Sequence, residues 1–507
     1  MALARTRSVA LVGVVGQVVD VEVDLGRGLP AVIIVGLPDA ALNEARDRVR
    51  AALANSGATF PDSRVTINLS PASLPKHGTG FDLALAVALL AATDVVPANY
   101  ADRLVCLGEL GLDGSVRPVR GVLPSVLAAR AAGWREIVVS PANAAEAALV
   151  PGIAVLAAAH LRLVIGALRG ECEWSETDAA EREDPEDPFP DLGDVAGQPE
   201  GRQALEVAAA GAHHLLLQGP PGAGKTLLAE RLPSILPPLI EQHALEVTAV
   251  HSVAGLLPPG RPLVVRAPFR APHHTASAAA LVGGGAGVAR PGAVSLAHRG
   301  VLFLDEAPEF GSDALEALRQ PLESGRIVLS RAHSTVTYPA RFQLVLAANP
   351  CPCGRVLDRS GACRCTPMQV RRYAGRLSGP LLDRIDLQLA VQDVPQATLL
   401  DGALGESSAI IAQRVLVARD RAAARLEATP WTVNAEVPGP YLRARLPLRG
   451  PALRRLRAGG ASLTARGIDR IIRVAWTLAD LHERSAPDQD DVETALGFRL
   501  GQLRGAA

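Results

Sequence analysis

Lysine is almost missing from this chain. Of 51 basic residues in 507, only Lys76 and Lys225 are lysine; the others are arginine. Aromatic residues make up 3%, so alanine, valine and leucine must build the cores. No apolar run reaches the roughly 18–20 residues that a membrane span needs. The longest, Leu83 to Ala92, has the length of a buried helix. Val9 to Val15 is followed by Asp20, Glu22 and Asp24 in a valine alternation, which reads as a strand rather than a signal core. These absences predict a soluble cytoplasmic protein with no membrane partner. Of six cysteines, four fall in one short stretch, which argues against a disulfide framework and for a local metal site. Cys106 and Cys172 stand alone and read as small buried or incidental side chains. A net charge of -1 advertises no nucleic acid. Yet the acidic block Glu171 to Asp191 and the arginine-rich block Tyr441 to Arg473 cancel in the total, not in space.

The length predicts about three or four domains. Residues 1–170 alternate short valine-rich strands, such as Arg64–Leu69 and Glu136–Val139, with the alanine-rich helices Asn43–Ala54 and Gly121–Ala132. Residues 171–194 are acidic, carry Pro185, Pro188 and Pro190, lack hydrophobic periodicity and read as a linker. An α/β core covers 195–394. Residues 395–507 are helical, with a proline- and arginine-rich break around Pro438 to Pro451.

Lys225 ends the run Gly219-Pro220-Pro221-Gly222-Ala223-Gly224-Lys225-Thr226, a full phosphate-loop motif. A slim ammonium can bridge β- and γ-phosphate oxygens where a planar guanidinium would not fit. The apolar run His214 to Gln218 before it reads as a buried strand, and Leu227 to Leu232 after it as a helix. Strand, loop and helix present backbone N–H groups to phosphates. The bound group is therefore a nucleoside triphosphate, expected to be ATP.

Val301-Leu302-Phe303-Leu304-Asp305-Glu306 is an apolar strand whose carboxyl end carries two carboxylates. Asp305 is placed to hold Mg²⁺ through water, with the Thr226 hydroxyl as direct ligand. Glu306 is placed to polarise the attacking water. Asn349, at the end of Leu344 to Ala348, can hold the same water. As a set these motifs resemble the AAA+ ATPases. The resemblance implies that Arg384, in Leu381-Leu382-Asp383-Arg384-Ile385-Asp386, is an arginine finger serving a neighbouring subunit. It also implies that Arg473 is the second sensor, on a lid helix.

Phe269 to Thr275, with His273 and His274, and the glycine cluster Gly283 to Gly287 read as an inserted loop; the two histidines are expected to bond backbone. Arg326–Ser330 and Thr335–Tyr338 read as a second insert, a β-hairpin with Arg331 and His333 near its tip. Such a pair resembles the branch containing magnesium-chelatase motors and MCM helicases, and implies inserts facing a hexamer's central pore. Cys351/Cys353 and Cys363/Cys365 form two C-x-C pairs that suit tetrahedral Zn²⁺ in a structural site, with reduced free thiols as the alternative.

Pro71 to Asp82 resembles the segment around the active serine of the Lon-protease domain. Gly80 stands at the serine, and Arg117 stands where a lysine is expected. Serine–lysine catalysis needs both groups, so the α+β fold carries over and the protease does not. Along nearly the whole length the chain resembles the ComM/YifB family of magnesium-chelatase-like ATPases. That resemblance implies a Lon-like α+β domain, a central AAA+ α/β domain and a helical lid. It also implies a hexameric motor acting on single-stranded or branched DNA in recombination or transformation. Arg331 and the Lon-like domain are the expected DNA contacts. A chelatase motor acting on a protein partner is the rival; a protease and a nucleotide-gated scaffold are weaker ones. Lys76, in a proline–glycine loop before a helix, is expected at the surface, against a DNA phosphate or an acidic group across the ring, or else as an idle surface lysine.

Overall fold

The computed structural model describes residues 2–174, 189–258, 260–285, 289–330, 335–356, 363–400, 405–459 and 463–500. Most of the acidic linker and the hairpin tip with Arg331 and His333 lie outside the described residues, as do Ala286 and Gly287 at the end of the glycine cluster. Among those described, no helix is long and apolar enough to cross a membrane.

Two sheets organise the chain. The first has seven strands, ordered Ala31–Val35, Arg64–Ser70, Val15–Gly26, Ala2–Val12, Leu104–Cys106, Glu136–Val139, Ala154–Ala157. Ala2–Val12 and Val15–Gly26 form a long antiparallel hairpin, and the valine alternation buries Val19, Val21 and Val23 on one face. Helix Asp82–Ala92 is apolar after its first residue and buried along its whole length against both strands of that hairpin. Its buried Asp82 accepts two bonds from the Arg48 guanidinium, at 2.7 and 3.0 Å, and one from the Leu110 N–H at 3.2 Å. That geometry satisfies a charge that burial alone would penalise.

Lys76 overturns its expectation. It is 0% exposed. Its Nζ donates to the Leu69 carbonyl at 3.0 Å and to the Pro71 carbonyl. These oxygens lie where strand Arg64–Ser70 gives way to a loop, and an ammonium with three donors satisfies them from within. Burial pushes its pKa down. A compact cation was indeed required here, but by backbone carbonyls rather than by an external anion.

The second sheet has five parallel strands, ordered Phe269–Arg270, Val301–Leu304, Gln343–Ala348, Leu215–Gln218, Leu387–Ala390. Side chains alternate between two cores. Leu215, Leu217, Val301, Phe303, Val345 and Ala347 enter one; Leu216, Leu302, Leu304, Leu344 and Leu346 enter the other. Coverage on both faces explains the unbroken apolar runs. Phe269–Arg270 is an edge strand of this sheet, with Phe269 opposite Val301, and not part of an inserted loop. Two residues are too few to print a strand period.

The first core continues into helices Ser408–Arg425, Ala465–Leu481 and Gln489–Leu500. The expected break at Pro438 to Pro451 is instead occupied by helix Gly439–Arg445 and the start of helix Gly450–Gly459. Pro440 sits in the first turn of the former, where proline's missing N–H costs nothing.

Candidate active site

All five parallel strands end on one side, and the sequence places its chemistry after three of them. Gly219–Gly224 follows Leu215–Gln218, Asp305 and Glu306 follow Val301–Leu304, and Asn349 follows Gln343–Ala348. Gly224 has φ +90°, a left-handed turn that lets the helix begin at Lys225. Lys225 Nζ donates to the carbonyls of Gly219 and Pro220, both at 2.8 Å, and to Asn349 Oδ1 at 3.0 Å. These three partners are neutral. Burial pushes its pKa down, and Asp305, Asp393 and Glu306 act against that. A cation held by dipoles alone gains by exchanging them for phosphate oxygens.

Thr226 Oγ1 donates to Asp305 Oδ2 at 2.8 Å. A hydroxyl and a carboxylate together beside a phosphate loop are oxygen donors of the kind Mg²⁺ takes. Glu306 has φ +49°, unusual for a residue with a side chain, and its N–H donates to Asp305 Oδ1 at 2.8 Å. The Glu306 side chain is half exposed. His274 Nδ1 lies 3.3 Å from Glu306 Oε2. The His273 and His274 ring centroids are 4.1 Å apart, and His273 Nδ1 lies 2.9 Å from Thr275 Oγ1. His273 bonds backbone as expected, its Nδ1 also accepting from the Thr275 N–H at 3.4 Å, whereas His274 is paired with the Glu306 carboxylate.

One residue of the site was not anticipated. Gln198 Nε2 donates to the Ala223 carbonyl at 2.9 Å and the Gln392 carbonyl at 2.6 Å, tying the phosphate loop to the segment after the last strand. Its signal was faint: a Gly-Gln-Pro turn opening helix Pro199–Gly211.

Arg384 and Arg473 lie elsewhere. They line a cavity of about 800 Å³ together with His214, Gly300, Gln343 and Asp386. Those four lie at the amino ends of the strands, so the cavity is at the opposite ends of the strands from Lys225. Arg384 is buried, bonded to Glu323 and the Pro380 carbonyl, and its Nε has no partner among the described residues. Arg473 Nε donates to the Val437 carbonyl at 2.8 Å. Neither arginine is placed beside its own phosphate loop.

The four cysteines do converge: their sulfurs all lie within 4.8 Å of one another. Cys351 Sγ is 3.4 Å from Cys353 Sγ and 3.9 Å from Cys363 Sγ, and the last two are 3.6 Å apart. Tetrahedral zinc with Zn–S bonds of about 2.3 Å sets sulfurs roughly 3.8 Å apart, so the cluster fits that ion. Backbone N–H groups of Arg355 and Arg364 bring the Cys353 thiol down to about 6.

Strands Arg326–Ser330 and Thr335–Pro339 pair as the expected hairpin. Val336 and Tyr338 pack with Ala289 and with Val12 and Val14 from the turn of the N-terminal hairpin, and the Tyr338 hydroxyl donates to the Ala289 carbonyl at 2.6 Å. In the Lon-like region Gly80 has room for a side chain, the nearest atom to a Cβ being Val119 Cγ1 at 3.9 Å. Arg117 Nη1 lies 3.8 Å from Glu109. The serine–lysine pair is replaced by a glycine and an ion-paired arginine.

Comparison with known proteins accounts for this combination. The family model described as magnesium chelatase, subunit ChlI, matches residues 191–399. A second ChlI model matches 21–143, and a ChlI C-terminal model matches 405–499. A Mycobacterium tuberculosis protein is 53% identical over 501 residues, covering 98% of this chain and 99% of its own. Escherichia coli YifB is 43% identical over 507 residues, covering 98% and 97%. The competence protein ComM of Haemophilus influenzae is 41% identical over 512 residues, covering 98% of each. Lon protease 2 of Thermus thermophilus is 32% identical over 143 residues, 27% of this chain and 18% of that protein. The chain belongs to the magnesium-chelatase-like family that includes YifB and ComM.

Proposed function

We propose that this protein is a Mg²⁺-dependent AAA+ ATPase that works as a hexameric ring on DNA, driving branch migration or unwinding in the cytoplasm. The observation that carries the ATPase is the convergence of Lys225, Thr226, Asp305, Glu306 and Asn349 at the carboxyl ends of one parallel sheet. In this reading Gly219 to Lys225 cradles the phosphates, with Pro220, Pro221, Gly222, Ala223 and Gly224 supplying backbone. Thr226 and Asp305 would hold Mg²⁺, which would supply positive charge beside the transferred phosphoryl group. Glu306 takes the proton of the attacking water and Asn349 fixes that water's position.

The ring reading is supported by where one chain keeps its arginines. Arg384 is at the opposite ends of the strands from its own phosphate loop, so as a finger it serves the site of a neighbour; Arg473, in the same cavity, does likewise. The division at about residues 170, 194 and 394 belongs to this reading, with the last part acting as lid. DNA rests on the relation to the competence protein ComM, with Arg331 of the hairpin segment as the expected contact. A chelatase motor acting on a protein partner is favoured by the name of the matching family models. The test is native mass with ATP and Mg²⁺, followed by incubation with branched and with linear duplex DNA. Six-subunit rings that convert branched DNA only while ATP is hydrolysed support the proposal. Rings that leave every DNA unchanged favour the chelatase reading.

A further inference from the structure

We infer that Cys351, Cys353, Cys363 and Cys365 hold a zinc ion whose knuckle is the support against which the phosphate loop closes, so that metal occupancy sets nucleotide affinity. The inference rests on the nucleotide reading of the loop and adds a control over it.

Three contacts carry it. The first runs along the chain. Cys351 is buried and lies two residues beyond Asn349, whose side chain accepts from Lys225 Nζ at 3.0 Å. Fixing the cysteine fixes the amide that holds the lysine. The second is packing. The Gly354 N–H donates to the Cys351 carbonyl at 2.9 Å, closing the Cys351–Gly354 turn. A Cβ on Gly354 would lie 2.3 Å from Pro221 Cδ and 2.4 Å from its Cγ. The turn therefore sits directly on the proline ring of the phosphate loop. Gly354 also has φ +76°, so no side chain is accommodated there on either ground. The third runs away from the metal on the other side. Cys365 leads into Thr366, which caps helix Pro367–Ala374 through a capping box. Beyond that helix Arg376 Nη1 donates to the Pro308 carbonyl and to Glu309, both at 2.9 Å, just after Glu306.

The two cysteine pairs thus pin together the Asn349 end of one strand, the phosphate loop and the turn behind Glu306. All four sulfurs come from the protein, which makes a closed, structural site with no position left for water. Four thiolates favour zinc over magnesium, so this ion is separate from the one at Thr226 and Asp305. Without it, only weak contacts between thiols keep the four sulfurs together, and the support under Pro221 loosens.

The full-length protein, its Cys363→Ser and Gly354→Ala variants, and Lys225→Ala are compared for metal content by elemental analysis and for ATP affinity by equilibrium binding. Wild type, Gly354→Ala and Lys225→Ala should each carry one zinc per chain. Cys363→Ser should lose it. ATP affinity should fall by about tenfold or more in Cys363→Ser and in Gly354→Ala. Gly354→Ala keeps every thiol, so it tests the contact between the turn and Pro221 even where Cys363→Ser folds poorly. Wild type carrying no zinc, or another metal, overturns the site. Wild-type ATP affinity in zinc-free Cys363→Ser, or in Gly354→Ala, overturns the link alone. Zinc-loaded wild type that binds ATP no better than Lys225→Ala overturns the nucleotide reading, and the link with it, while the metal site stands.

Discussion

His274 Nδ1 lies 3.3 Å from Glu306 Oε2, so the carboxylate proposed to activate water is held by a loop that begins at the edge strand Phe269–Arg270. That loop leads into helix Ala278–Val282 and then to strand Gly283–Gly284, paired with Arg290–Pro291 beside Ala289 and Tyr338. Glu306→Gln keeps the phosphate and Mg²⁺ contacts but cannot accept a proton. It should bind ATP like wild type and turn over about 10²-fold slower or worse. His274→Ala should alter kcat, with ATP affinity within about twofold of wild type, because it frees the carboxylate without touching the phosphate loop. Steady-state kinetics beside equilibrium binding separate the two. A His274→Ala enzyme with wild-type kcat would deny the contact any role in turnover.

Lys225→Ala should lose nucleotide binding itself. Its three present partners are neutral, so the ammonium is available to phosphate at the cost of weak dipolar bonds. Binding measured without turnover should fall by at least about tenfold.

Arg384→Ala should abolish hydrolysis while sparing ATP binding. In the single chain its guanidinium is engaged by Glu323, at the opposite ends of the strands from Lys225. Mixing Arg384→Ala with Glu306→Gln should restore part of the activity, because a mixed interface pairs a sound finger with a sound carboxylate. Hydrolysis independent of protein concentration, with no rescue on mixing, would place the finger within its own subunit or nowhere.

Lys76→Met should destabilise the chain without altering its affinity for DNA. Two buried carbonyls lose their donor, which costs about 1–3 kcal/mol each. Lys76→Arg should also destabilise, since a wide guanidinium replaces an ammonium at a fully buried position. Denaturant unfolding beside DNA binding gives the answer. Wild-type unfolding together with weakened DNA binding would return Lys76 to the surface.

Acid should weaken the junction between the sheet and the C-terminal helices. His214 Nδ1 accepts from the Leu344 N–H at 3.0 Å, and desolvation pushes its pKa from 6.5 down to about 4. Asp386 acts the other way on it, while Arg470, His213 and Arg473 reinforce the shift. The folded state keeps this imidazole neutral while the unfolded chain takes up a proton. Stability is therefore full above 6.5 and falls as pH drops towards about 4, with a slope approaching 1.4 kcal/mol per pH unit, roughly, for this one group. His243, His251 and His298, all shifted down chiefly by burial, add in the same direction. Asp386 stays ionised across this window: burial works against its charge, but Arg470 and the His213 bond hold it well below the usual carboxylate range. Urea midpoints between pH 4 and 8 test this, and a flat profile would contradict it.

Much of this was legible because long apolar strands and a phosphate loop each leave a dense local signature. Val301–Leu304, Gln343–Ala348 and the hairpin at Arg326 came through for that reason. Phe269–Arg270 did not, because a two-residue edge strand has no period. The helices within 438–451 were obscured by prolines, which sit comfortably in a first turn. Lys76 was misplaced because a polar residue in a proline–glycine loop looks solvent-exposed until the carbonyls around it are known. The partnership of His274 with Glu306, and the distance of Arg473 from Lys225, depend on which ends of the strands meet. No local pattern encodes that.

The most direct test of the account is the ATP hydrolysis rate of the purified full-length protein in Mg²⁺, measured with and without single-stranded, duplex and branched DNA and repeated at rising salt. The account predicts hydrolysis that DNA stimulates, branched DNA included. The stimulation should fade with salt as phosphate contacts are screened, and Glu306→Gln should abolish it. A rate that is the same with and without every DNA and insensitive to salt would contradict it.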